Sequence, residues 1–278
     1  MYAILLALLA GLGTGFALGF TEAARPGWAV FWGVAAFAVV VALVSLFVRR
    51  RVGSISKAMQ ERMLEGQRAL QARVNDFQNH PKGDPRRFLE QMQKRQADLV
   101  DAAIADTEAL EPYRRWVPWF GRQIATMRMQ LNYQVKRFGK VDALLPRCLI
   151  LDPLTAAMKM ARQFATNAEL PEIEKTYRRA RARLRYDQSA YLSSVMAWMY
   201  VRRNKLDEAY ALLEKACKDN NTEKEPNASL VRNRDALANN RVKQFTLSSF
   251  GDQWYGLFLE EPRIRYERRA PTRFGKFG

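Results

Sequence analysis

Histidine and cysteine are scarce in this 278-residue chain: one histidine, His80, and two cysteines, Cys148 and Cys217. Zinc sites and Ser-His-Asp triads draw on more histidine or cysteine than this, so neither chemistry is expected. The cysteines are far apart and neither belongs to a CxxC pair, so they are expected as buried, reduced thiols of a cytoplasmic domain.

A working phosphate loop is also missing. The stretch GLGTGFALGF, residues 11–20, looks glycine-rich enough for one. A dinucleotide fingerprint needs GxGxxG between a strand and a helix. Counted from Gly11 the last position is Phe16, and counted from Gly13 it is Leu18. No Lys-Ser or Lys-Thr pair follows. Glu260 and Glu261 are adjacent, but neighbours on a helix point about 100° apart and make a poor acid–base pair. No nucleophile–base pair, ligand cluster or cofactor loop emerges. The expectation is a protein that is not an enzyme, with no metal, cofactor or identified small-molecule substrate.

Charge is absent from two long runs. Residues 2–20, YAILLALLAGLGTGFALGF, hold none, and neither do residues 28–48, WAVFWGVAAFAVVVALVSLFV. As a helix the first is about 28 Å long, close to a bilayer core. TEAARPG lies between them, so the pair reads as a transmembrane helical hairpin. The first run lacks a basic n-region and is expected to be retained rather than cleaved as a signal peptide. Arg49, Arg50 and Arg51, with Lys57, follow the second run, whereas the turn carries only Glu22 and Arg25. Positive residues stay inside, which predicts both termini in the cytoplasm and two spans of a bacterial inner membrane. Trp28 and Trp32 suit the interface near the turn.

The glycines then take another meaning. Gly11, Gly15 and Gly19 form one helical stripe, and small residues let helices in lipid approach closely. Ala35, Ala38, Ala42 and Ser45 offer a matching stripe on the second segment. The stripes are expected to form the seam of the hairpin, with a seam between two copies as the alternative, since the spacing serves both.

What the chain has in excess is positive charge: 45 Lys and Arg against 28 Asp and Glu, a net +17. That balance favours anionic partners. Residues 54–77 carry helical spacing in Ile55, Met59, Met63, Leu70, Val74 and Phe77, with only Gly53 between them and the apolar run. After the loop NHPKGDP, a second helix is predicted from Pro85 to about residue 110, with Phe88, Met92, Leu99, Ala103 and Ile104 on its apolar face. The two form an antiparallel pair, either a spacer or a surface for self-assembly. EPYRRWVPWFGR, residues 111–122, then mixes Tyr113, Trp116, Trp119 and Phe120 with Arg114, Arg115 and Arg122. It reads as a packed joint, with a membrane-interface segment as the alternative.

From Gln123 the helices become short and paired. The starts GKVDALLPRC, LPEIEKTYRR and NKLDEAYALL place Val141, Ile173 and Leu206 at separations of 32 and 33 residues. In the third unit Ala197, Tyr200, Ala209, Leu213 and Ala216 fall at preferred small and large positions. NKLDEAYALLEKA resembles a tetratricopeptide repeat, whose period is about 34 residues. The resemblance implies an α-solenoid that binds proteins or peptides on a concave face and performs no catalysis. Trp254, Leu257 and Phe258 are expected to cap its end.

The expected fold is therefore all-α. A transmembrane hairpin spans 1–48, a juxtamembrane amphipathic helix pair 49–112, a tetratricopeptide-like solenoid with a C-terminal cap 113–262, and a basic flexible tail 263–278.

Two basic clusters stand out. Lys175, Arg178, Arg179, Arg181, Arg183 and Arg185 surround the apolar stripe Ile173, Tyr177, Ala180 and Leu184, as a solvated outer face or a docking face. In the tail, Arg263, Arg265, Arg268, Arg269, Arg273 and Lys276 alternate with Tyr266, Phe274 and Phe277. Anionic lipid, a partner protein or further copies of the chain suit these clusters better than nucleic acid, because no RNA-binding motif accompanies them.

Overall fold

The computed structural model describes residues 2–20, 26–80, 84–117, 119–185 and 187–260. The fold is all-α, and no strand occurs among the described residues. Two compact units divide the chain, one up to Ile150 and one from Leu151 onward. The boundary falls inside the segment expected as one solenoid.

In the first unit α1 (Tyr2–Phe20) packs along α2 (Pro26–Asn79). The contact is backbone against backbone. A Cβ built on Gly33 would lie 2.8 Å from the Gly11 carbonyl oxygen and 3.4 Å from Gly15 Cα. A Cβ on Gly11 would lie 2.9 Å from the Gly33 oxygen. Only glycine fits both positions without a shift. Ala7 is buried and Gly11, Gly15 and Leu18 are half-buried on α1. On α2 the covered positions include Gly33, Phe37, Val40, Val44 and Val48, spaced by three or four residues.

This corrects the expected seam on α2. Ala35 is half-buried, and Ala38, Ala42 and Ser45 are exposed. At 100° per residue these four lie about 120–200° from Gly33, on the far side of the helix. Gly19 is exposed as well, and a Cβ there would meet nothing within 4 Å.

Gly53 does not interrupt α2, which runs unbroken for 54 residues. Beyond it, α3 (Pro85–Asp106) folds back antiparallel, with Asp84 accepting from the Arg86 N–H at its start. Phe77 stacks on Phe88 at 4.0 Å between ring centroids, Leu99 sits over Gly66, and Arg62 donates through Nη1 to both carboxylate oxygens of Asp106. Met59, Val100 and Ala103 join Leu131 in one cluster. The helix stops four residues before the expected end and continues as a 3-10 segment, Thr107–Arg115, that contains Pro112. Two further helices, α4 (Phe120–Gln134) and α5 (Phe138–Leu144), complete the unit.

The second unit contains α6 (Pro153–Ala165), α7 (Leu170–Arg181), α8 (Ala190–Arg202), α9 (Leu206–Asp219) and α10 (Ala228–Ala238). Consecutive helices pack in antiparallel hairpins, and α8 also touches α6. It is almost wholly buried from Ala190 to Met199. A short helix, α11 (Asp252–Tyr255), ends the described chain.

One turn recurs in both units. Lys136, Asn167, Asn204 and Asn240, just after α4, α6, α8 and α10, all have positive φ of 55–57°. The following backbone closes each turn by donating to a carbonyl five residues back: Arg137 to Asn132, Ala168 to Gln163, Lys205 to Tyr200 and Arg241 to Ala236, at 2.7–3.0 Å. These are Schellman closures, which satisfy carbonyls a helix end leaves open. Asparagine tolerates the left-handed conformation better than most residues.

Burial, rather than distance from the turn, relates neighbouring hairpins. Counted from the left-handed residue, Val141 and Ala209 lie five on, Ile173 six and Leu206 two. Ile173, Tyr177 and Ala180 correspond by burial to Ala209, Leu213 and Ala216, 36 residues on, and all six are buried. Leu206, half-buried, matches Leu170 rather than Ile173. The expected anchor of the third unit, Leu206, thus lies about one helical turn before the position whose burial matches Val141 and Ile173.

Candidate docking surfaces

The basic cluster around α7 divides in two. Ile173, Tyr177 and Ala180 face inward, and the Tyr177 hydroxyl lies 3.0 Å from Ser193 Oγ. Burial raises the Tyr177 pKa above its ordinary value, against the opposing hydrogen bond to Ser193. Tyr200 is half-buried and its pKa is raised too, first by burial and then by Glu174. Lys175, Arg178 and Arg179 point outward and are exposed. Arg181 is half-buried and pairs with Asp219. The helix ends at Arg181, so Arg183 and Arg185 lie in the following turn rather than on the helix. Arginines in a last turn also suit the negative end of a helix dipole. Arg178, Arg181 and Arg185 share a groove of about 490 Å³ with Tyr177, Ser189 and Asp219.

A larger groove, about 890 Å³, opens in the first unit. Its frame is the EPYRRWVPWFGR segment. Leu110, Phe120 and Ile124 are buried, with Val52, Ile55, Tyr113 and Val117 packed around them. Trp116 meets the Tyr2 ring edge-on at 6.0 Å. The segment is a packed joint, with one exception. Trp119 is 70% exposed and has a φ of +60°, conspicuous for so large a side chain. Its carbonyl accepts from the Arg122 N–H at 2.8 Å and so opens α4.

Five arginines line this groove: Arg114, Arg115, Arg122, Arg128 and Arg147. Arg114 lies flat over Gly121, where a Cβ would come within 2.7 Å of its Nε. Arg128 is half-buried and committed inside the protein, donating to Thr107 Oγ1 at 2.7 Å and pairing with Glu111 at 2.9 Å. Arg115 reaches the Tyr2 hydroxyl at 3.5 Å. Among the described residues no acidic side chain pairs with Arg114, Arg122 or Arg147, and all three are exposed. Arg114, Arg115 and Arg122 are visible in the sequence as one motif. Arg128 arrives about two turns along α4 and Arg147 from the turn after α5, so no local pattern announces them.

The C-terminal segment lies across α8 rather than on the last hairpin alone. Leu247, Trp254 and Leu257 are buried. Tyr191 donates to the Gln253 carbonyl at 2.7 Å, Trp198 donates through Nε1 to Glu260 at 3.0 Å, and Trp198 and Trp254 meet edge-to-face at 5.1 Å. Asn233 on α10 exchanges two hydrogen bonds with Thr246. Phe258 is not part of this packing core; it is 37% exposed. Glu261 and the whole basic tail, Arg263, Arg265, Arg268, Arg269, Arg273 and Lys276 included, lie outside the described residues.

Cys148 and Cys217 form no disulfide and are half-buried rather than buried as expected. No group of three or more His, Cys, Asp and Glu side chains is placed to hold a metal ion among the described residues. Comparison with protein-family models, with curated proteins and with solved structures finds no match.

Proposed function

We propose that this protein is a membrane-anchored, non-enzymatic scaffold that recruits or assembles proteins at the cytoplasmic face of a bacterial inner membrane. The observation that carries the reading is α2. Its first half presents Val30, Phe31, Val34, Val39, Leu43 and Phe47 to the surroundings, and its second half is charged and amphipathic. By length and composition it is the one described helix long and apolar enough to cross a membrane. In this reading α1 crosses beside it, and Arg49, Arg50 and Arg51 hold both termini in the cytoplasm. The helical hairpins from α4 onward act as a tetratricopeptide-like solenoid, whose partner is another protein or a second copy of the chain.

The test is extraction of the tagged full-length protein in a mild detergent, then measurement of particle mass and of the proteins that come with it. A stoichiometric complex or a defined homo-oligomer supports the reading. A lone monomer over a range of detergents counts against it. The exposure of Lys175, Arg178 and Arg179 supports a second reading, in which the α7 cluster and the tail bind anionic lipid or RNA. That reading requires steep salt dependence and loss of binding when these residues are neutralised.

A further inference from the structure

We infer that the arginine groove of the first unit holds the phosphate of an anionic phospholipid from the leaflet in which α1 and α2 are anchored. This rests on the anchor reading above and goes beyond it, because it assigns a ligand and a site.

Place within the unit is the first argument. Tyr2, the first described residue of apolar α1, lines the groove with Val117, and Val117 and Val52, just past Arg51 on α2, pack against one cluster, Leu110, Phe120 and Ile124. The groove therefore opens at the end of the apolar pair where the charged residues begin. In a bilayer that is the depth of the headgroups.

Charge is the second argument. Glu111 is the acidic residue of the lining, and Arg128 already satisfies it. Arg114, Arg122 and Arg147 converge from three separate segments with no acidic partner of their own among the described residues. Guanidinium groups gathered without a carboxylate repel one another unless an anion sits between them. Their planar fork fits phosphate oxygens with two parallel hydrogen bonds.

The rim is the third. Val117, Ile124 and Leu144 give the groove an apolar side that suits glycerol and the first acyl carbons. Trp119 stands exposed at its edge, an amphipathic ring of the kind that settles at a membrane–water interface. A soluble phosphate would use the arginines but neither of these features. RNA or an acidic protein would have to enter at headgroup depth, in competition with the lipid already there.

The experiment uses the full-length protein, delipidated in a neutral detergent and titrated with phosphatidylglycerol or phosphatidylcholine, with bound lipid counted by native mass spectrometry. Wild type is expected to retain phosphatidylglycerol selectively. R122Q/R147Q is expected to bind it about 10- to 30-fold more weakly, since each basic residue near an anionic surface adds a few-fold in affinity. R122K/R147K, which keeps the charge, should recover part of the loss, and R86Q/R87Q, at exposed positions in the first turn of α3, should leave binding unchanged. Equal retention of the two lipids, or an unchanged R122Q/R147Q, overturns the inference. Inorganic phosphate that displaces the lipid at equal concentration reassigns the groove to a soluble anion. Alkaline carbonate washing of membranes that contain the same protein separates the two failures. Release into the soluble fraction overturns anchor and groove together, whereas retention with lipid selectivity lost overturns the groove alone.

Discussion

The α1–α2 pair meets over backbone, and the α8–α9 pair meets over side chains. In the first, Gly11, Gly15 and Gly33 bring the two main chains close enough that a single added carbon would collide with a carbonyl oxygen. In the second, Ala209, Leu213 and Ala216 fill the space against a helix that is itself buried along most of its length. Their outer faces differ in the opposite sense. Large apolar side chains stand exposed all along residues 2–47; elsewhere among the described residues they are Leu64, Leu89, Trp119, Leu151, Tyr210 and Phe258. The exposed face of α9 carries Asp207, Glu208, Lys215 and Lys218. A helix pair in water gains from removing apolar surface, so side chains suffice to hold it. A pair in an apolar solvent has no such gain and depends on close van der Waals contact. The division of labour between glycine and leucine is what the proposed anchor requires.

The comparison breaks most visibly at leucine. Leu213→Ala should cost about 2–5 kcal/mol, because it empties a fully buried site. Leu12→Ala, on the exposed face of α1, should leave stability in detergent unchanged within about 0.5 kcal/mol. Thermal melts of both variants, followed by circular dichroism in the same detergent, decide it. Comparable losses at the two sites would mean that α1 is packed against something in water.

Glycine supplies the reciprocal test. Gly33→Val should destabilise the α1–α2 pair by about 1–3 kcal/mol through overpacking against the Gly11 carbonyl. Gly19→Val has open space and should cost almost nothing. The fraction of paired helices across an SDS titration, read by cross-linking of cysteines placed on the two helices, measures both. A penalty at Gly19 as large as at Gly33 would point to a seam between copies rather than within one.

The turns give a smaller effect. Asn204 holds a left-handed backbone at φ +55°, where a Cβ-bearing residue without a short polar side chain is strained. Asn204→Ala should lower stability by about 1 kcal/mol and Asn204→Gly should not, as read from urea unfolding. If both are neutral, the α8–α9 hairpin is held by its buried face alone.

These sites also mark what was legible beforehand. The continuity of α2 could be read because Gly53 is the one weak helix former between the apolar and amphipathic stretches. The inward residues of α2 and α3 followed from spacing for the same reason: period decides face. Rotation of one helix against another is different. The alanines of α2 matched the glycines of α1 in spacing, yet one residue, Gly33, turned the helix to present another face, since only it admits a carbonyl. The anchor of the third unit slipped by a turn because the buried position is a small residue, Ala209, whereas Leu206 is the more apolar type and only half-buried. Asn167, Asn204 and Asn240 hint at the left-handed turns, and Lys136 conceals one. The arginine groove was half visible, since three of its cations sit in EPYRRWVPWFGR and the rest arrive from α4 and the turn after α5.

The smallest expected effect concerns pH. The apolar pair has no carboxylate or basic group between Tyr2 and Phe20, nor in residues 28–48, so its stability should not depend on pH. The helices beyond it do carry titratable contacts. The hydrogen bonds from Arg137 hold the Asp101 carboxyl below its ordinary value of 3.8, more strongly than partial desolvation raises it. A carboxylate whose pKa is lowered by folding stabilises the native state above the unfolded value. That contribution disappears as pH falls through 3.8 and then through the lower folded value. Asp101 is more than half exposed, so solvent screening keeps the contribution below about 1 kcal/mol. Asp101→Asn should therefore reduce stability slightly at neutral pH and converge on wild type below the folded pKa, while the SDS resistance of the α1–α2 pair stays flat over the same range. A pH-dependent α1–α2 pair would mean that its stability is coupled to the charged helices rather than set by its own glycine contact.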